Sequence, residues 1–75
     1  MEVQGRIEGM QAYLLHGQPY TRVYYSHADD PDTVLQCQLA ESEFDGDLQV
    51  GDAIRITYLL KTVLEIRRDT TVEAR

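Results

Sequence analysis

The sequence predicts an all-β fold, a single small barrel of five antiparallel strands with one short helical turn between the third and fourth. Three observations predict it. Ile54, Ile56 and Tyr58 alternate with Arg55 and Thr57 directly after the turn residues Gly51 and Asp52, and a period of two is the mark of a half-buried strand. Gly5 and Gly9 interrupt an otherwise strand-like opening segment, which suits a sheet that must bend. Turn residues then punctuate the chain at short intervals: His16-Gly17-Gln18-Pro19, Ala28-Asp29-Asp30-Pro31-Asp32 and Leu60-Lys61.

Strand one is expected from Glu2 to Leu15. Val3, Gly5, Ile7 and Gly9 share one face, and Glu2, Gln4, Arg6 and Glu8 share the other. The alternation fails at Ala12-Tyr13-Leu14-Leu15, so a bulge near Met10–Ala12, or burial on both faces, is expected. Strand two is expected from Tyr20 to His27, with Tyr20, Arg22, Tyr24 and Ser26 on one face and Thr21, Val23, Tyr25 and His27 on the other. Strand three runs from Thr33 to Leu39, with Leu35, Cys37 and Leu39 inward and Val34, Gln36 and Gln38 outward. Ala40 to Phe44 can form a helical turn, with Phe44 and Leu48 plugging one end of the sheet. Strand four is Ala53–Leu59. Strand five is Thr62–Arg68, with Leu64 and Ile66 inward. The expected core is Val3, Ile7, Val23, Leu35, Cys37, Leu39, Phe44, Leu48, Ile54, Ile56, Leu64 and Ile66. Residues 1–68 form the domain, and 69–75 have little to bury and are expected to fray.

Seventy-five residues make one domain. A chain this short buries only about 60–65% of its unfolded surface, so its core is small. One cysteine cannot form an internal disulfide, which favours a reducing compartment, and a cytoplasmic location is expected. No apolar run approaches the roughly 20 residues of a membrane span. Met1-Glu2-Val3-Gln4-Gly5 has neither a basic nor an apolar leader region, so no signal peptide is expected.

The segment Leu48-Gln49-Val50-Gly51-Asp52-Ala53-Ile54, an apolar residue and a Gly-Asp turn entering an alternating strand, resembles an entry common in OB-like barrels. The order of five strands with a helical turn after the third resembles the OB-fold too, with an SH3-like barrel as the alternative. Ala40–Ile66 is similar in particular to the TOBE-type domains of oxyanion transport and regulation proteins. That resemblance implies a small oxyanion held at a dimer junction. No Ser/Thr-rich start matches that family's ligand groups, so no ligand residue carries over.

Catalysis is not expected. No carboxylate pair sits in an apolar setting, no Ser or Cys nucleophile stands beside a base, and no glycine loop can cradle phosphate. His16, His27 and Cys37 lack metal-ligand spacing. Asp29-Asp30-Pro31-Asp32 and Asp45-Gly46-Asp47 lack the ligand series of a calcium loop. No cofactor is implied. The surface that stands out is Tyr20, Arg22 and Tyr24 on one strand face, with Arg6 and Arg55 as further strand cations and Gln36 and Gln38 on the outward face of strand three. Tyr and Arg dominate protein interfaces, so a non-enzymatic interaction module is expected, its partner being another protein or a second copy in a homodimer. Aromatics flanking a cation also suit single-stranded nucleic acid, but a net charge of −6 disfavours it.

Overall fold

A computed structural model describes residues 1–69 of the chain. Five strands form one sheet: β1 (Glu2–Leu15), β2 (Gln18–His27), β3 (Asp30–Ala40), β4 (Ala53–Leu59) and β5 (Thr62–Arg68). A 3-10 turn, η1 (Glu41–Glu43), follows β3. The order across the sheet is β3-β2-β1-β4-β5, and every neighbouring pair is antiparallel.

The sheet is not closed into a barrel. β3 and β5 are its two edges, and the expected barrel is corrected to an open, curled sheet. The reason lies just after β3. The Ala40 amide, which could have extended a ladder to β5, donates instead to Glu43 Oε1 at 3.0 Å. The chain turns through η1, and Phe44 takes the place beside β5 with a single parallel bridge to Ile66. Two β5 arginines then hold this linker down. Arg67 donates to Asp45 Oδ1 at 3.0 Å and to the Ser42 carbonyl at 2.7 Å. The Arg68 amide donates to Asp45 Oδ2 at 2.9 Å, and its guanidinium lies 3.2 Å from Asp52 Oδ2. Part of the acidic loop is therefore structural.

The core lies on the concave side of the sheet: Ile7, Val23, Tyr25, Leu39, Phe44, Leu48, Ile54, Ile56 and Ile66 are buried. Leu35 and Cys37 pack against it only partly buried, because β3 is an edge, and Val3 is half-buried. Leu64 is corrected from core to surface, at 43% exposure. Tyr58 pairs with Val63 and Thr57 with Glu65, so Leu64 is the extra residue of a bulge, and Val63 turns inward in its place.

Three further differences follow from register. The bulge in β1 falls between Ile7 and Gly9, earlier than the broken alternation suggests, and Glu8 is the extra residue. β2 and β3 both start earlier than expected because their connections are two-residue hairpins, His16-Gly17 and Ala28-Asp29. His16 and Gly17 have φ of 53° and 78°, the backbone that a hairpin turn needs to follow the strands' twist. Asp69, expected to fray, is 1% exposed, accepting from Gln4 Nε2 at 3.1 Å and Arg55 Nη2 at 3.3 Å. The rest of the expected tail, 70–75, lies outside the described residues. No helix among those described is long and apolar enough to cross a membrane.

Candidate interaction surface

The antiparallel registers decide which side chains meet on the convex face. Tyr13, Tyr20 and Ala40 form one cross-strand row. Gln11, Arg22 and Gln38 form the next, and Gly9, Tyr24 and Gln36 the third. Tyr20, Arg22 and Tyr24 thus share a face, with Gln36 and Gln38 beside them on β3. Arg22, Gln36 and Gln38 are exposed, and the two tyrosines half-buried.

Local chemistry holds these groups in place. The Tyr13 and Tyr20 rings stack at 6.2 Å and 26°. The Arg22 guanidinium carbon lies 5.5 Å from the Tyr13 ring centroid, a cation–π contact worth about 0.5–1 kcal/mol at an exposed site. Gly9 leaves room for the neighbouring ring: a Cβ there would already touch Tyr24 at 3.4 Å. The Tyr13 hydroxyl is buried with no hydrogen-bond partner among the described residues, which is rare for a polar atom. At the hairpin end of the core face a groove of about 440 Å³ opens between the β1–β2 hairpin and the linker, lined by Ala12, Leu14, Pro19, Thr21 and Phe44, and also by Tyr13 and Tyr20.

Electrostatics separate Arg22 from the other cations of the face. Arg6 lies 3.1 Å from Glu8, Arg55 3.3 Å from Asp69 and 3.7 Å from Glu2, and Arg67 3.0 Å from Asp45. Arg22 has no carboxylate partner among the described residues. The bulge that expels Glu8 also lets its carboxylate accept from Ser26 Oγ at 2.6 Å. That bond, followed by the one from Arg6, holds Glu8 below the usual carboxylate range. Nor are Arg6 and Arg55 in the tyrosine rows. Arg6 sits opposite Ser26, four residues along β2 from Arg22, and Arg55 is on β4.

Two features escape sequence reading. Tyr13 joins the patch because a two-residue turn at His16-Gly17 sets it opposite Tyr20; counting back from that turn would have found it. The second is a polar cluster on the concave face. The hydroxyls of Tyr25 and Tyr58 share a hydrogen bond of 2.9 Å, and Tyr58 Oη lies 2.9 Å from His27 Nε2. Burial, with the Tyr58 bond second, raises the Tyr25 phenol above its ordinary range. No local signal links residues this far apart in the chain. His16, in a turn, and Cys37, on β3, lie in different elements from His27.

Comparison with protein-family models, with curated proteins and with solved structures gives no match.

Proposed function

We propose that this chain is a non-enzymatic protein-binding module whose contact surface is the convex face of β1, β2 and β3, centred on Arg22. The observation that carries this reading is the isolation of Arg22: a cation seated over Tyr13, bracketed by Tyr20 and Tyr24, and without a carboxylate partner among the described residues. Interface hot spots are built this way, from Tyr and Arg ringed by near-neutral contacts. Gln11, Gln36 and Gln38 supply an uncharged rim.

Nucleic acid fits less well. Backbone recognition needs several cations to replace counterions, and Arg6, Arg55 and Arg67 already sit against carboxylates. We read the scaffold itself as an opened OB-like barrel rather than an SH3-like one. Support comes from β1 lying between β2 and β4, from the turn between β3 and β4, and from the parallel Phe44–Ile66 bridge at the open seam.

The test is affinity capture on the immobilised full chain at moderate salt, with wild type, Arg22→Gln and Tyr24→Ala compared by quantitative mass spectrometry. A partner retained by wild type and reduced at least tenfold by both variants is expected. Partners bound equally by all three would refute the surface. Labelled oligo-dT should not bind; binding that falls steeply with salt and is lost in Tyr24→Ala would favour nucleic acid instead.

A further inference from the structure

We propose that the free edge of β3, at Gln36 and Gln38, takes an extended segment of another protein as an added antiparallel strand, and that this segment carries lysine or arginine on both sides of an uncharged centre. This site is separate from the Arg22 surface. It uses the backbone edge of β3 rather than the convex face, so the two can fail separately.

The β1–β2 hairpin decides which backbone groups that edge offers. Leu15 and Gln18 flank a two-residue turn, so they form a hydrogen-bonded pair. Bonded and non-bonded pairs alternate from there without a shift as far as Tyr24, and Tyr20, Arg22 and Tyr24 therefore bond to β1. Thr21, Val23 and Tyr25 are left to bond Leu39, Cys37 and Leu35 of β3. Gln36, Gln38 and Ala40 must then turn their N–H and C=O groups away from β2. The Ala40 amide agrees, since it donates to Glu43 Oε1. The register shift between Asp30 and Leu35 ends the regular ladder at the other side. Gln36 and Gln38 are the open positions, and each can exchange two backbone bonds with an antiparallel strand.

Most edges carry a guard. On β5 the guards are Arg67 and Arg68, with Phe44 bridged alongside. On β3 they are confined to the irregular start, at Asp30, Pro31 and Asp32. From Leu35 to Ala40 there is no charge, no proline and no register shift, and Gln36 and Gln38 are exposed. Strand addition at such an edge draws affinity from main-chain bonds and specificity from what flanks them.

The flanking charges name the occupant. Asp29, Asp30 and Asp32 lie before the open run and Glu41 after it, all exposed. None of the four is in an ion pair among the described residues. A strand laid along Gln36 and Gln38 runs toward a carboxylate at each end, about 10–13 Å beyond the paired residues at ~3.3 Å per residue. Cations at both ends of the added strand meet those carboxylates, and an uncharged centre matches the uncharged run. A strand with acidic ends, including β3 of a second copy, would set like charges together at both ends and is disfavoured.

Nuclear magnetic resonance titration of the isotope-labelled full chain tests this. The probe is an acetylated and amidated peptide of alternating threonine and valine with two lysines at each end. The Gln36 and Gln38 amides should shift most, at peptide concentrations between micromolar and millimolar. A matched peptide with glutamates in place of the lysines should bind at least tenfold more weakly, and so should the lysine peptide to the double variant Asp32→Asn, Glu41→Gln. Gln36→Pro deletes an N–H that β2 does not use and should abolish binding, while Arg22→Gln should leave it unchanged. Should Gln36→Pro fail to fold, by circular dichroism, N-methylation of the peptide's central amides decides in its place, because it blocks the same bonds without altering the protein. No shift at Gln36 and Gln38 up to millimolar peptide, equal binding of the lysine and glutamate peptides, binding that survives N-methylation, or shifts that Arg22→Gln abolishes would overturn the proposal.

Discussion

Substituting Gly5 by alanine should be among the most damaging single-methyl additions this chain can take. Gly5 lies where β1 is paired on both sides, opposite His27 of β2 and Ile54 of β4. An added Cβ would overlap the Ser26 carbonyl oxygen and come within 2.9 Å of Ile56 Cδ1. Ile56 is fully buried and can rotate only at the expense of core packing. The Ser26 carbonyl is backbone, so relief requires β1 and β2 to move apart. Overpacking of this kind costs about 1–3 kcal/mol. Parting the strands also strains the neighbouring bond from the Ala28 amide to the Gln4 carbonyl, 2.8 Å long, worth about 1 kcal/mol. Reduced unfolded-state entropy returns about 0.4–1 kcal/mol. The net loss is about 1–3.5 kcal/mol, against roughly 4–11 kcal/mol of total stability for a domain of this size. Urea unfolding followed by circular dichroism measures it, with Gly46→Ala as the control, because nothing lies within 4 Å of a Cβ there. A Gly5→Ala midpoint indistinguishable from that of Gly46→Ala would refute the close approach of β1 and β2.

Three other outcomes are expected. Tyr58→Phe removes the hydroxyl that meets both Tyr25 and His27; it strands a buried phenol and should cost about 1–3 kcal/mol in urea unfolding. Leu60 is 91% exposed with φ of 58°, a left-handed conformation that asparagine tolerates better than leucine, so Leu60→Asn should raise stability by about 0.5–1 kcal/mol. The pH profile should fall at both ends. The Asp45 carboxyl is held low, first by the Arg68 amide and then by Arg67. Its contribution is full above the unfolded carboxyl range near ~4 and is lost as pH falls from there through its lower folded value; Asp45→Asn should flatten the acid limb of midpoint against pH. Burial pushes the Cys37 thiol up to about 11. Its contribution is present below the unfolded value near ~8.5 and is lost as pH rises toward 11; Cys37→Ala should flatten the alkaline limb.

What could be read in advance was set by local chemistry. Strict alternation at Ile54–Tyr58, followed by Leu60-Lys61 and a second apolar pattern, fixes a hairpin because turn and period are both local. The same holds for the common face of Tyr20, Arg22 and Tyr24. Turn chemistry was legible at Gly51-Asp52 too, where Asp52 Oδ2 accepts from the Gln49 amide at 2.9 Å. The misplaced elements depend on long-range pairing. Glu8 and Leu64 are extra residues only relative to partner strands, so Leu64 reads as core until β4 is laid beside it. Closure depends on whether Ala40 bonds β5 or Glu43, and both are compatible with the same pattern. Asp69 looks like tail until Gln4 and Arg55, more than a strand away in sequence, are found around it. In the candidate surface, Tyr13 was hidden by the broken alternation of Ala12–Leu15, and the Glu8–Arg6 pairing by the bulge that creates it.

The proposed docking of a protein around Arg22 is tested by site-specific photo-crosslinking, with p-benzoylphenylalanine placed at Gln11, opposite Arg22 on β1, and in parallel at Lys61, in the β4–β5 turn. A discrete protein adduct from position 11 that disappears with Arg22→Gln and is not formed from position 61 is expected. No adduct at 11, the same adducts from both positions, or an adduct unaffected by Arg22→Gln would overturn the proposed surface.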